Sequence, residues 1–404
     1  MTAKPLKLPV YLDNQATTPV DPRVLDAMMP YFSEKFGNPH SRSHAFGWEA
    51  EAAVELAREQ IASLIGADSK EIIFTSGATE SNNLAIKGAA RFYKAKKNHV
   101  ISCVTEHKCV LESCYRMERE GIDITWLKVR PDGLIDLDEL AQAFNERTVL
   151  VTIMAVNNEI GTVQPMAEIG ALCRDHGAFF HSDAAQAVGK IPIDVEAMNL
   201  DLMSITAHKL YGPMGIGVLY VRRRPRVRLE PSFDGGGQER GLRSGTLPAP
   251  LCIGMGATCA IAEADMAEEH DRLLKLRQRL HDGIIGKLDD ILVNGTLDQR
   301  VAGNLNLSFL GVDSESLMSA LRNLAVSSGS ACTSASIEPS YVLRAIGLDD
   351  ATAHASLRFG LGRFTTAEEV DFAIDEVVRE VTRLRGMASG IPAKQEKASA
   401  TPAE

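Results

Sequence analysis

The sequence predicts an α/β protein: a large, mostly parallel sheet flanked by helices, joined to a smaller α/β domain. Two observations carry this. Short apolar runs alternate with amphipathic helical stretches through the first half of the chain. A long charged helical pattern then leads into a second, smaller region. With 404 residues, the chain has room for two such units.

The expected strands are EIIFT (71–75), HVISCVT (99–105), TVLVTIMAV (148–156), GAFFHS (177–182), DLMSIT (201–206) and GVLYV (217–221). Each is short and apolar, as strands buried on both faces are. WEAEAAVELAREQIASLIG (48–66) and MAEIGALCRDHG (166–177) have helical spacing and lie between runs. The stretch 257–288, beginning ATCAIAEADMAEEH, reads as the helix bridging to the second domain. The expected division is a large domain over 16–262 and a small domain from 1–15 and 263–385. GMASGIPAKQEKASATPAE (386–404) is small, polar and proline-containing, and is read as a flexible tail.

Composition narrows the function classes. The chain is 45% hydrophobic and 24% charged, as soluble globular proteins are. A net charge of −10 argues against direct nucleic-acid binding. No apolar run approaches membrane-span length, so no membrane contact is expected. MTAKPLKLPVYLD has no apolar signal core and is too short for an intact transit peptide. The expected location is the cytoplasm for a bacterial protein, or the mitochondrial matrix for a eukaryotic one. The seven cysteines are odd in number and lack a secretion signal, so reduced thiols are expected. Cys103, His107 and Cys109 are close-spaced, but no second close pair accompanies them, and a metal site is disfavoured.

Polar residues follow five of the strands: SGATE, EH, NNE, DAAQ and AHK. In an open α/β sheet that edge binds ligands, and five such ends suggest one site. Thr79 lies in a small-residue turn before a helix, which suits a phosphate cradle or a plain N-cap. Lys209 is either a surface charge or, at a strand end facing a cleft, a Schiff-base lysine. Asp183 is either a cap or the partner of a protonated ring nitrogen. His107 is either a core histidine or a group stacked on a flat ring. Arg358 is either a surface ion-pair residue or a bidentate holder of a carboxylate. GPMGIG (212–217) reads as tight packing, since it follows the lysine and not a first strand. Lysine, aspartate and phosphate cradle together describe a site for pyridoxal 5'-phosphate. Cys332 sits in SSGSACTSAS (327–336), among small residues that suit a thiol on a mobile tether.

YLDNQATTP, FGNPHSRSH, FTSGATESNNLAIKG, TEHK, VNNEIG, HSDAAQAVGK, AHKLYGP, GGGQERGLRSGT and SSGSACTSASIEPSYVLRAIG occur in this order. With these motifs the sequence resembles the cysteine desulfurases of the IscS type, from about residue 10 to 385. The resemblance implies a fold-type I pyridoxal phosphate enzyme, with a seven-stranded sheet, working as a homodimer on L-cysteine. By resemblance, Lys209 carries the cofactor, Asp183 pairs with its ring nitrogen, Gln186 with its ring oxygen, and His107 stacks on the ring. Thr79, Thr206 and His208 hold the phosphate, with Thr246 reaching across from the second subunit. Asn158 and Arg358 hold the substrate carboxylate, and Cys332 takes the sulfur as a persulfide. The sulfur would go to an iron–sulfur scaffold protein, where Cys332 could share in cluster ligation, and to other acceptors such as those of tRNA thiolation. RRRPRVR (222–228) is read two ways: a solvated loop, or a dock for an acidic partner such as a ferredoxin or frataxin-like protein. The tail lacks the hydrophobic, tryptophan-bearing end usual in the family, which argues against scaffold binding by that route.

Overall fold

The computed structural model describes residues 6–328 and 338–388. Its strands are β1 (Val10–Tyr11), β2 (Ile72–Thr75), β3 (His99–Cys103), β4 (Asp123–Leu127), β5 (Thr148–Thr152), β6 (Phe179–Asp183), β7 (Leu202–Thr206), β8 (Gly217–Val221), β9 (Ile291–Val293), β10 (Asn304–Phe309), β11 (Leu324–Ala325) and β12 (Ser356–Gly360). Seven of them form one sheet in the order β2-β8-β7-β6-β5-β3-β4. β3 to β7 run parallel. β8 is antiparallel to both of its neighbours.

All six expected runs supply strands of this sheet. The seventh, β4, has no apolar run. It is the edge strand, with Asp123 exposed and only Leu127 buried, so nothing forces it to be apolar throughout. Two strands end before their apolar runs do: β3 stops at Cys103 and β5 at Thr152. The residues beyond them become loops at the sheet's end.

The bridging helix runs Ala249–Ile285, starting earlier than the charged pattern because Pro248 and Pro250 mark its first turn. Its early residues Cys252, Met255, Cys259 and Ala262 lie in the core under the large sheet. Leu273, Leu276, Leu280 and Ile284 belong to a second core. That core is built on an antiparallel sheet of order β12-β10-β9 and covered by the helix Ala367–Ala388. Val10 and Leu12 also belong to it, and β1 pairs in parallel with β11.

Residues 386–388, expected to belong to the tail, complete the last helix instead. Arg385 fixes this end through the Leu310, Asp289 and Asp290 carbonyls. Residues 389–404 lie outside the described residues. The six described cysteines are free, and all but the half-buried Cys109 are buried. No helix among the described residues is long and apolar enough to cross a membrane.

Candidate active site

The ends of β2, β3, β5, β6 and β7 meet at a cleft of about 480 Å³. Thr79, His107, Asn158, Asp183, Gln186, Thr206, His208 and Lys209 all line it. Residues separated by more than a hundred positions are therefore brought to one edge of the sheet.

The turn after β2 begins one wall. Gly77 caps the helix Ala78–Tyr93 at φ 150°, and no side chain caps that end. Thr79 is therefore not the N-cap; it stands inside the first turn, with its hydroxyl available. A Cβ on Gly217 would come within 2.5 Å of the Gly77 Cα and 2.6 Å of the Ile205 carbonyl oxygen. Two glycines thus let the turn lie flush on the sheet. The Thr206 hydroxyl stands 3.8 Å from where a Gly77 Cβ would be. An uncapped helix N-terminus flanked by hydroxyls is suited to an anion.

Asp183 closes β6. Its Oδ1 accepts from the Ala185 N–H (3.0 Å) and its Oδ2 from Asn82 Nδ2 (2.7 Å). His107 caps the helix Lys108–Arg119, its Nδ1 accepting from the Cys109 N–H at 3.2 Å. Burial pushes the His107 pKa down, with the Asp183 charge opposing. A neutral ring with Nδ1 as acceptor carries its hydrogen on Nε2. The Cys109 thiol lies 3.0 Å from the same Nδ1, and burial pushes it up to about 12. Ligand atoms of His107, Cys109 and Asp183 lie within 4.8 Å of one another. Cys103 is elsewhere, bonded to Thr105.

Lys209 ends a short turn, Ala207–Lys209, directly after β7. A Cβ on Gly212 would meet Ala207 and Thr258 within 2.8 Å, so the ends of GPMGIG, Gly212 and Gly217, pack tightly, while Met214 is exposed and lines the cleft with Gly215. The His208 carbonyl accepts from the Thr18 N–H (2.8 Å), and its ring Nδ1 lies 3.1 Å from the Thr17 hydroxyl. Burial lowers the His208 pKa to about 4, with Lys209 and Lys190 adding to the push. Gln186 donates from Nε2 to the Gln15 carbonyl at 2.8 Å.

Asn158 lines the cleft, while Arg358 on β12 stands behind it. Arg358 donates to the Asn158 carbonyl and to Asp13 Oδ1, both at 2.8 Å. Its Nε and the Asn158 Oδ1 are buried without a partner among the described residues. Which end of the Asn158 amide is nitrogen follows from what binds there.

Cys332 lies outside the described residues, but the chain on either side of it is fixed here. Ser327 exchanges backbone hydrogen bonds with Arg358. Ser340 donates to Glu159 Oε2 at 2.5 Å, next to Asn158. Burial raises the Glu159 pKa to about 7.

Thr246 is exposed on a loop and is not brought to its own chain's cleft. Arg243 in that loop donates to Glu80 at 2.8 Å. Glu239 holds the loop's start through Arg58 and the Phe74 N–H. In the basic segment, Arg222 is buried and paired with Glu196, while Arg223, Arg224, Arg226 and Arg228 are exposed. Sequence reasoning missed Asn82, Gln15 and Lys190. The motifs SGATESNN, YLDNQ and HSDAAQAVGK contain them, but only the folded chain shows what they touch.

The model of the aminotransferase class-V family matches residues 10–372. A cysteine desulfurase IscS of Rickettsia rickettsii is 60% identical over 383 residues, 95% of this chain and 93% of that protein. The IscS of Rickettsia bellii is 59% identical over the same shares. Among solved structures, a NifS-like protein superposes with a TM-score of 0.86 at 35% identity, covering 92% of this chain and 99% of its own. SspA in complex with cysteine superposes at 0.79 with 40% identity, covering 88% and 99%. With the sheet, the cleft and these near-full-length likenesses in agreement, the chain belongs to the class-V aminotransferase family, in its branch of IscS-type cysteine desulfurases.

Proposed function

We propose that the protein removes sulfur from L-cysteine, releases L-alanine and carries the sulfur as a persulfide on Cys332. The observation that carries this is the meeting of Lys209, Asp183 and His107 at one cleft, with polar atoms of Asn158 and Arg358 beside it that have no partner among the described residues. Enzymes of this family depend on pyridoxal 5'-phosphate, which when bound draws electrons from the substrate's Cα. The residues fit that group. The uncapped helix start, with Thr79, Thr206 and His208, suits its phosphate, and Thr246 of a second copy completes the hold in a homodimer. The doubly bonded Asp183 carboxylate suits the ring nitrogen, Gln186 the ring oxygen, and the neutral His107 the ring face. Lys209 would hold the cofactor through Nζ.

The chain's own part in the chemistry follows. Asn158 and Arg358 orient the substrate carboxylate, Arg358 using the Nε that has no acceptor among the described residues. Lys209 Nζ takes the proton from Cα and returns one later in the reaction. The Cys332 thiolate attacks the substrate sulfur. An S–S bond forms as the Cβ–S bond breaks, the electron pair leaves with carbon, and protonation there gives alanine. Cys332 is five residues beyond the anchored Ser327, a chain reach of up to roughly 17 Å.

The sulfur then passes to an iron–sulfur scaffold protein and other acceptors, including those of tRNA thiolation, in the bacterial cytoplasm. With a bound scaffold, Cys332 could share in ligating the cluster. An acidic partner, a ferredoxin or frataxin-like protein, fits the four exposed arginines of 223–228. Residues 16–262 form the cofactor-binding domain, and 1–15 with 263–385 the smaller one.

The test is turnover of L-cysteine by purified holoenzyme, with alanine, sulfide and enzyme persulfide measured. Cys332→Ser should bind cofactor normally but form no persulfide and release little sulfide. Lys209→Ala should lose the borohydride-trapped cofactor. Sulfide release near wild type from Cys332→Ser would remove Cys332 from its role.

A further inference from the structure

We propose that Lys190 is a positioning residue that sets the orientation of the Gln186 amide at the cofactor cleft. This rests on the functional reading above, in which Gln186 faces the cofactor's ring oxygen.

Lys190 Nζ donates to Gln186 Oε1 at 2.8 Å. Gln186 Nε2 donates to the Gln15 carbonyl, also at 2.8 Å. The Gln15 carbonyl can only accept, and Lys190 in its charged form, which prevails below about pH 7, can only donate. Together they decide which end of the amide is oxygen. Flipping it would set NH2 against the ammonium and oxygen against the carbonyl. Gln186, which lines the cleft, keeps one amide hydrogen uncommitted to offer there.

The surroundings of Lys190 favour this role over a structural one. A lysine kept for stability away from solvent is normally paired with a carboxylate. Among the described residues Lys190 makes no ion pair. Glu269, which lines the same small cavity, is bonded to Arg363 at 2.8 Å. The turn that delivers Lys190 is pinned: Gly189 has φ +70°, and a Cβ there would strike Leu210 Cδ1 at 2.3 Å and Ala262 Cβ at 2.9 Å. Leu210 follows Lys209, so the turn that carries Lys190 packs on the turn that carries Lys209. Burial pushes the Lys190 pKa down to about 7; the nearby Lys209 and Arg358 charges add to this and Glu269 opposes it. Gln15, whose backbone carbonyl holds Gln186, in turn donates from its side-chain Nε2 to the Gly303 carbonyl at 3.0 Å, which ties that residue to the second core's edge.

The experiment compares holoenzymes of wild type, Lys190→Met, Lys190→Arg, Gln186→Ala and the double variant Lys190→Met/Gln186→Ala. The readouts are the visible absorbance of bound cofactor, its pH dependence, and kcat and KM for alanine formation. Lys190→Met should shift the absorbance and its pH profile toward those of Gln186→Ala. It should lower kcat about five- to tenfold with KM within about twofold, the scale of one oriented hydrogen bond. Adding Lys190→Met to Gln186→Ala should change little more, because the two act as one unit. Lys190→Arg keeps a charged donor and should stay near wild type in spectrum. If Lys190→Met does not fold, Lys190→Ala takes its place: a spectrum shifted toward that of Gln186→Ala supports the role, and a wild-type spectrum overturns it. A Lys190→Met enzyme with wild-type spectrum and kcat, or effects that multiply in the double variant, would also overturn it. Loss of cofactor binding specificity for Lys209 would instead overturn the functional reading itself.

Discussion

Replacing Glu239 with alanine should be among the costliest single changes outside the cleft. Its carboxylate accepts from Arg58 Nη1 at 2.8 Å, from Arg58 Nη2, and from the Phe74 N–H at 2.6 Å. Both side chains are buried, and the guanidinium also lies over the Phe74 ring at 4.6 Å. Removing the carboxylate strands a buried charge and an amide of β2. Breaking such a pair from one side costs about 3–5 kcal/mol. Arg58 keeps the Ile72 carbonyl and Glu55, each at 2.9 Å, which holds the loss to that range. Glu239 and Arg240 both have positive φ, 47° and 57°, and alanine relieves neither. Against a whole stability of about 5–15 kcal/mol the effect is large. Urea unfolding of holoenzyme at fixed concentration, followed by circular dichroism, measures it. Arg58→Met/Glu239→Leu removes both charges and leaves only the Phe74 N–H orphaned, so it should recover to about 1–3 kcal/mol below wild type. A loss under about 1 kcal/mol for Glu239→Ala would refute the pairing argument, as would a double variant no better than the single.

Gly217→Ala should cost about 1–3 kcal/mol and loosen cofactor retention, because its Cβ would press on the Gly77 backbone; absorbance after dialysis checks this, and unchanged retention counts against it. Glu159 is raised from 4.5 to about 7, so the fold favours its protonated form. Wild-type stability should therefore fall as pH rises from about 4.5 to 7, by about 3 kcal/mol from this group, and Glu159→Gln should flatten that slope in denaturation at several pH values. Deleting 389–404 should leave turnover unchanged and shift scaffold affinity by less than about tenfold, roughly 1.4 kcal/mol, in a calorimetric titration. Loss of binding on that deletion would show that the tail docks despite its composition.

What could be read from the sequence follows a physical line. The central strands are sheathed on both faces, so their apolar runs stand out, whereas the edge strand Asp123–Leu127 has solvent on its flank and no such run. Residue types at strand ends pointed to the cleft because strand direction alone gathers them there. Their supporting partners were hidden, since contact between Gln15 and Gln186 spans 171 positions and that between Asp13 and Arg358 spans 345. No local pattern encodes such distances. Residues 386–388 read as tail because the stretch they open is small, polar and proline-containing, while the Arg385 contacts that hold the helix end come from residues 75 to 96 positions away.

The pairing of β1 with β11, and of Asn14 with the Gly360 carbonyl, sets an order of assembly during synthesis. Residues 10–14 leave the ribosome long before their partners at 324–325 and 360 are made. At about 5–20 residues per second that is a wait of roughly 20 to 70 s. The large sheet, complete by Val221, can form in that interval while the first strand stays unclaimed. Each new copy of the protein therefore seals its second core by drawing an early segment back to one made more than three hundred positions later.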